Sequence, residues 1–405
     1  MPLWELCVVV QREAFVKLAL ASGANRSELC REFGISRKTG YKWLERYRSA
    51  GGEGLRDRSR RPHTSPWRTE EATEAAVLGI RAASNNAWGG RKIAWTLARD
   101  GLQPVPALST ITEILRRHHK LDRQAQHPGP HVRFERAEPN ELWQMDFKGH
   151  FPMALGRCHP LTVLDDHSRY SLGLQACDNE QDLTVRNRLT TLFRSYGLPF
   201  AMLMDNGSPW GDCGGQPFTI FTVWLMRHGI GVSHGRPYHP QTQGKEERFH
   251  RSLKAEVLER NSFADLVACQ RAFDRWRQIY NHERPHEALG LTPPATRYRP
   301  SPRAFCEDLP PIEYGPGDIV RKVDSEGAIS FRNRPIRIGK AFRKQPVALR
   351  PCSDDGIFDI HYCAHRIGRL DLRTLSAAAC GFVDIARAMP TIPQAQHQHQ
   401  VKNAI

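Results

Sequence analysis

Leu142-Trp143-Gln144-Met145-Asp146-Phe147-Lys148 alternates apolar and polar residues. The alternation predicts a strand with Trp143, Met145 and Phe147 on one face and Asp146 on the other. Downstream, Leu161-Thr162-Val163-Leu164-Asp165-Asp166 and Ser171-Leu172-Gly173-Leu174-Gln175-Ala176 read as two more strands. The turn-rich Asp166-His167-Ser168-Arg169 joins them into a meander. A helix is expected over 181–195, ended by Gly197 and Pro199. Phe200-Ala201-Met202-Leu203-Met204-Asp205 is then a short apolar strand of the buried-sheet kind, with a carboxylate at its C-terminal tip. A turn over 206–210, a helix over 218–228, a strand over 230–233 and helices over 244–260 and 264–280 complete a mixed α/β domain, placed at 140–292.

The stretch before the last two helices is Gly235-Arg236-Pro237-Tyr238-His239-Pro240-Gln241-Thr242-Gln243-Gly244-Lys245-Glu246-Glu247-Arg248-Phe249-His250-Arg251-Ser252-Leu253-Lys254. It reads as a polar loop, expected to be mobile, closed by Gly244 and followed by a carboxylate-rich helix start. With Asp146 and Asp205, a helical glutamate would supply the hard oxygen ligands that a pair of divalent ions about 3.5 to 4 Å apart requires in phosphodiester chemistry. Glu246, Glu247, Glu256 and Glu259 are all available. Positions i+4 and i+7 share a helix face, and for Glu247 these are the bases Arg251 and Lys254, whereas for Glu246 they are His250 and Leu253. Glu247 is therefore the favoured ligand, with bases placed to guide an anionic substrate. Taken singly, each acidic residue also has an ordinary structural reading as a strand end, a turn or a helix ion pair. Asp165 and Asp166 are adjacent in a strand, point to opposite faces, and are read as structural.

The flanks carry DNA-binding signals. Three short helices are expected between 11 and 48, with Asn25 or Ser27 capping the second, Gly34 making a turn and Ser36 capping the third. The third bears Arg37, Lys38, Lys42 and Arg46, in the layout of a helix-turn-helix assigned to 1–50. A basic linker at 51–68 includes Arg58, Arg60 and Arg61. A second helix-turn-helix-like block is placed at 69–122, its last helix capped by Ser109 or Thr110 and its Trp88 and Trp95 read as core. Linkers are expected at 123–139 and, proline-rich, at 293–312. Short strands over 313–388 suggest a small β-barrel whose Arg332, Arg334, Arg337, Lys340, Arg343 and Lys344 suit phosphates, and 389–405 reads as a disordered tail.

Composition agrees with this organisation. At 405 residues the chain calls for about two to four domains. A net charge of +15, spread over several segments, favours a polyanionic partner. The ten cysteines stand singly, with no C-x-x-C pair, which argues against a zinc finger and fits a reducing compartment. The apolar start at 1–10 lacks a basic n-region and is read as folded, and no run approaches the ~18 apolar residues of a membrane span.

Together Trp143-Gln144-Met145-Asp146-Phe147, the run Leu161 to Arg169, Asp205-Asn206-Gly207, His239-Pro240-Gln241-Thr242-Gln243-Gly244-Lys245-Glu246-Glu247-Arg248 and Asn281-His282-Glu283-Arg284-Pro285-His286 make the chain resemble insertion-sequence transposases of the DDE class, relatives of retroviral integrases. The resemblance implies a multidomain protein: helix-turn-helix modules, an RNase H-like core and a C-terminal barrel. It further implies that Asp146, Asp205 and Glu247 are the catalytic, metal-binding triad for two Mg²⁺ or Mn²⁺ ions, with Lys254 as basic partner and Lys245, Arg251 and Lys254 near DNA. The implied partners are double-stranded DNA, as terminal inverted repeats and as target, and further copies of the chain. The implied setting is the bacterial cytoplasm at the nucleoid, with no membrane. Two departures stand out: a longer interval from Asp205 to Glu247, ascribed to a loop at 211–216, and no zinc-binding His/Cys module. A DNA-binding regulator without catalysis and a plain RNase H-like nuclease are the competing readings.

Overall fold

The computed structural model describes residues 8–57, 69–121, 135–211, 218–234, 244–373 and 381–382. The expectations for Arg58, Arg60 and Arg61, for the loops over 212–217 and 235–243, for most of the 123–139 linker and for the tail at 389–405 lie outside the described residues. Two compact units divide the chain, Met1–Thr69 and Glu70–Ile405.

In the first unit, α1 (Val8–Ala19), α2 (Arg26–Glu32) and α3 (Arg37–Ala50) pack around Phe15, Val16, Ala19, Cys30, Leu44 and Leu55. Asn25 caps α2, accepting from the N–H groups of Ser27 and Glu28, and Ser36 caps α3, accepting from Thr39. Each cap satisfies helix donors that otherwise lack partners, worth about 1 kcal/mol. Gly34, at φ +64°, makes the turn between them. Gly40 lets α3 cross close to the others, since a Cβ there would lie 2.7 Å from Cys30 Sγ and 2.8 Å from Phe15 Cζ. Gly40→Ala is therefore expected to destabilise this unit by about 1–3 kcal/mol, read as a lower melting temperature for its transition. The linker does not begin at residue 51: Gly51–Leu55 is a 3₁₀ turn whose Leu55 fills the core. Arg12 ties it down, donating to the Leu55 carbonyl at 2.7 Å and pairing with Asp57. The glycines that suggested a loop serve a tight turn.

The second unit opens with α4 (Glu71–Ala83), α5 (Gly90–Arg99) and α6 (Leu108–Arg117) around Val77, Trp88, Ile93, Leu97, Ile111, Ile114 and Leu115. Ala107 holds the N-cap position of α6, so Ser109 and Thr110 lie inside its first turn and cap nothing. Trp88 is core, but Trp95 is half-buried with the Arg99 guanidinium 5.5 Å above its ring, because α5 turns that position outward.

The sheet that follows comprises β1 (Leu142–Phe147), β2 (Phe151–Pro152), β3 (Arg157–Asp165), β4 (Ser171–Cys177), β5 (Ala201–Met204) and β6 (Gly231–His234). Its order is β4-β3-β1-β5-β6, with the short β2 also pairing β3. The first three strands are antiparallel and β5 and β6 run parallel to β1. Alternate side chains separate into two layers. Trp143, Met145, Leu161 and Val163 pack under α7 (Asp182–Tyr196) and α8 (Ile220–Arg227), meeting Leu189, Phe193 and Phe221. Cys158, Leu164, Leu174 and Ala176 pack under α9 (Gly244–Glu256) and α10 (Leu266–Gln278), meeting Phe249, Leu253, Phe273 and Trp276. The result is a mixed sheet with helices on both faces.

The segment expected as a proline-rich linker is a strap laid on this core. Leu198 N–H donates to the Arg303 carbonyl and Ser301 N–H to the Tyr196 carbonyl, both at 2.8 Å. Tyr298 stacks on Tyr170 at 4.3 Å, and Phe305 lies 5.7 Å from Phe193. Prolines break periodicity here, yet the residues between them still dock. Beyond it, β7 (Ile319–Lys322), β8 (Ala328–Phe331), β9 (Arg334–Arg337), β10 (Pro346–Pro351), β11 (Ile357–Tyr362), β12 (His365–Asp371) and β13 (Gly381–Phe382) form two sheets, β12-β11-β10-β7 and β13-β9-β8. Among the described residues no ladder joins these sheets, so they do not bear out a closed barrel at 313–388. Regular strand spacing signals strands and not closure, which depends on which edges pair. The core of these sheets is continuous with that of the mixed sheet, as in the edge contact of Phe218 with Phe342 at 5.3 Å. No helix among the described residues is long and apolar enough to cross a membrane.

Candidate active site

β1 and β5 pair in parallel with Gln144 opposite Leu203. Two residues further along the same register, Asp146 stands level with Asp205, just beyond the end of β5. Thus two carboxylates widely separated in sequence are neighbours at one sheet end because their strands are neighbours. Asp205 is held by its own turn: Gly207 N–H donates to Oδ1 at 2.9 Å and Trp210 Nε1–H donates to the same oxygen. Trp210 in turn stacks on Phe147 at 5.3 Å, and His234 at the end of β6 hydrogen-bonds through Nδ1 to the Asp205 carbonyl at 2.7 Å.

Glu247 lies in the first turn of α9, exposed, while its neighbour Glu246 is buried to 1 % exposure. The difference follows from the helix face. Glu246 points at the sheet, where Thr162, the residue paired with Asp146 across β1 and β3, donates one proton among three acceptors within reach: Glu246 Oε2 at 3.0 Å, the Asp146 carbonyl at 2.9 Å and His250 Nε2 at 2.9 Å. His250 Nδ1 lies 3.9 Å from Asp146 Oδ2. These contacts seat the first turn of α9 against β3 and leave Glu247 at the rim, within the electrostatic reach of Asp146.

Burial, and then the negative charges of Asp205, Glu180 and Glu247, push the Asp146 carboxyl up to about 7. Burial likewise raises Glu246 well above the usual carboxylate range, helped by Asp146. Burial holds the His250 imidazole down at about 4, with Lys148 adding to the effect. A His that resists protonation when folded contributes stability above pH 6.5 that is lost as pH falls from 6.5 towards 4. His250→Gln should therefore remove up to about 1.4 kcal/mol per pH unit of the acid-side loss over that window, seen when urea midpoints of variant and parent are compared across pH.

Asp165 and Asp166 organise the turn after β3. The fully buried Asp166 carboxylate accepts from Arg136 N–H at 2.8 Å, from Gln144 Nε2 at 2.6 Å and from the Lys245 ammonium. Asp165 accepts from Asn140 N–H at 2.7 Å and from the Ser168 N–H and hydroxyl at 2.8 and 2.6 Å. Lys245, expected at DNA, is thus placed in an ion pair inside the fold, and burial pushes its ammonium down to about 8. The structure leaves Arg251 and Lys254 exposed on α9, the latter 3.5 Å from Glu259. Arg37, Lys38 and Lys42 are exposed along α3 beside Tyr41, and Arg46 is half-buried. Thr162, His250, Trp210 and His234 are site neighbours that sequence reasoning does not assign, and Glu246, weighed there only as a ligand less favoured than Glu247, is a buried anchor of α9. Thr162 had a signal, a polar residue in an apolar strand opposite Asp146, and Trp210 had none beyond lying close after Asp205.

Among the described residues no three of His, Cys, Asp and Glu converge closely enough to enclose an ion. The donors nonetheless fit a hard divalent cation: Asp146, Asp205 and Glu247 are all carboxylates, their charges oppose one another, and both bonds that hold Asp205 fall on Oδ1.

Family models match along the chain: a helix-turn-helix domain at 11–63, a homeodomain-like domain at 39–115, integrase core domains at 136–240 and 228–294, and an IS481 family transposase C-terminal domain at 318–378. An uncharacterized protein of insertion element IS476 from Xanthomonas euvesicatoria is 29 % identical over 39 % of this chain and 44 % of its own length. One from insertion element IS407 of Burkholderia multivorans is 27 % identical over 42 % and 61 % respectively. The chain thus spans about half the length of these curated relatives. A solved structure of the HTLV-2 integrase catalytic core domain in complex with magnesium is 16 % identical, with a TM-score of 0.31 over 40 % of this chain and 99 % of that one. The chain thus carries a helix-turn-helix domain match, integrase core domain matches and an IS481 family transposase C-terminal domain match, and over part of its length it is similar to proteins of insertion elements.

Proposed function

We propose that the chain binds the terminal inverted repeats of an insertion sequence through its helix-turn-helix units and cleaves and joins DNA at Asp146, Asp205 and Glu247. The observation that carries this reading is the parallel register of β1 and β5, which sets Asp146 level with Asp205 under the helix start that bears Glu247. These three carboxylates would hold two Mg²⁺ or Mn²⁺ ions, which when bound activate water or a 3′-hydroxyl and stabilise the departing oxyanion.

The remaining work belongs to the chain's own residues. Trp210 and Gly207 hold Asp205 in one orientation, so that ligand is positioned before substrate arrives. Thr162 and Glu246 lock the first turn of α9 to the sheet beneath Asp146. Arg251 and Lys254, on the exposed face that continues from Glu247, neutralise phosphates next to the scissile one. Arg37, Lys38 and Lys42 on α3 supply major-groove and phosphate contacts for end recognition. Copies of the chain assemble on DNA, since two ends must be joined in one reaction.

The test uses labelled DNA flanking the coding region, incubated with the protein, Mg²⁺ and a plasmid target. Expected are a footprint confined to the flanks and joined products that EDTA removes. A footprint without joined products under any divalent ion would instead support a DNA-binding regulator.

A further inference from the structure

The motif Asn281 to His286 has a place in the fold that catalysis as described does not use. It forms the π-helical turn Ile279–Glu283 and the residues after it, at the end of α10. Arg284, 7 % exposed, donates from Nε to Glu256 Oε1 at 3.0 Å and from Nη2 to Ser252 Oγ at 2.9 Å, and its guanidinium lies over Tyr280 at 5.6 Å. Trp276 Nε1–H donates to the other Glu256 oxygen at 2.8 Å. Ser252 and Glu256 lie in the last turns of α9, the helix whose first turn carries Glu247.

The helical module α4 to α6 reaches the same point. Asn85, in the connection after α4, donates from Nδ2 to the Glu256 main-chain carbonyl at 2.7 Å. Ile279 packs against the module's Val77, Trp88 and Ile93 cluster. The Lys92 ammonium on α5 lies within the electrostatic reach of Arg284, Glu256, Glu287 and Arg248. A C-terminal helix carbonyl has no intrahelical partner, so Asn85 supplies one from another module.

We infer that Asn85, Glu256 and Arg284 are positioning residues through which the α4–α6 module sets the axis of α9, and hence the place of Glu247 opposite Asp146. Glu256 lies nine positions after Glu247 on the helix, about 14 Å of rise, so a small tilt at the junction displaces the glutamate at the far end. Phe249 and Leu253, both fully buried, make α9 move as one piece and not bend between the two. The side-chain bond of Asn85 is made with this helix. The module that the sequence presents as a DNA reader is in this respect part of the catalytic platform. This inference rests on the reading of Glu247 as a metal ligand.

The test is Asn85→Asp, made in the full chain. Asn85 is exposed and sits at φ +52°, a conformation aspartate tolerates, so the variant folds while an acceptor replaces the donor that faces a carbonyl. Asn85→Gly, which also accepts this φ and simply deletes the bond, serves as a second variant. Expected are unchanged binding to flanking DNA within about 2-fold, a Mg²⁺ concentration for half-maximal joining raised about 5-fold or more, and a maximal rate lowered about 10-fold. A residue of merely structural importance would lower the amount of active protein without moving the Mg²⁺ requirement. Hydrogen exchange in DNA-free protein gives an arm independent of activity: the α9 amides from Glu246 to Glu256 should exchange about 10-fold faster in the variants. Unchanged exchange in α9, or Mg²⁺ titrations superimposable on the parent's, would overturn the inference. A parent protein that joins no DNA would overturn the functional reading, while the exchange result would still decide whether the junction holds α9.

Discussion

Asp146→Asn should lower DNA cleavage and joining by about 10³-fold or more while leaving flank binding within about 2-fold of the parent. The substitution preserves shape and removes one anionic ligand from the strand end, and the role assigned to Asp146 depends on charge. The backbone is not expected to suffer. Thr162 bonds the Asp146 carbonyl and not its carboxylate, and a neutral amide removes the mutual repulsion with Asp205 and Glu247. Melting temperature should therefore hold or rise slightly. Loss of activity together with gain of stability is the signature of a site whose charges are arranged for function at the expense of the fold. Asp205→Asn should share the catalytic loss, with a smaller stability gain because the carboxylate oxygen Oδ1 is the acceptor for Trp210 and Gly207. Full joining activity in Asp146→Asn would remove the basis for the proposed chemistry.

Asp166→Ala should be the most damaging substitution outside the three carboxylates, costing the second unit about 3–5 kcal/mol. The removed side chain is the acceptor for three donors at once: the Lys245 ammonium, the Gln144 amide and the Arg136 N–H. All would be left within the fold, and Gln144 Oε1 already lacks a partner. Lys245 would respond by giving up its proton more readily still, since its attraction to Asp166 is what opposes burial. The folded ammonium already binds its proton less tightly than the unfolded one. Between pH 8 and 10.5 the unfolded state therefore carries more protons, and the contribution of Lys245 to stability rises with pH across that window. In Asp166→Ala the window should widen towards neutral pH. Urea denaturation followed by tryptophan fluorescence at pH 7 and pH 9 checks both parts: a large drop at pH 7, partly recovered at pH 9.

Much of this arrangement was legible in the residues. The alternation from Leu142 to Phe147 and the apolar run ending in Asp205 located both strands, because burial of a sheet on two faces leaves a direct mark on composition. The caps Asn25 and Ser36 were legible for the same local reason, since a cap needs only its own helix. What failed to show in the sequence depended on distant partners. Tyr298 and Arg303 look like linker residues until Tyr170 and the carbonyls of Pro199 and Gly229 are placed opposite them. Leu55, following three glycines, has the local sequence of a tether, yet it fills the α1–α3 core. The C-terminal strands were expected, but whether their edges meet is settled by hydrogen bonds that no local pattern encodes. Lys245, which the resemblance puts near DNA, faces Asp166, a residue with a structural reading in the sequence.

Glu246 and Glu247 show the limit within the site itself. Helical spacing favoured Glu247 because its face carries Arg251 and Lys254, and the structure puts Glu247 at the exposed rim and Glu246 against Thr162. That spacing gave no hint that the buried neighbour would sit beside Asp146.

The most direct measurement is a crystal of the protein grown with Mn²⁺ and examined by anomalous scattering. Anomalous density is expected between the carboxylates of Asp146 and Asp205, with Glu247 turned in from the rim of α9, and is expected to be lost in Asp146→Asn. Density at other residues, or Mn²⁺ undiminished at this sheet end in Asp146→Asn, would contradict the proposed metal site.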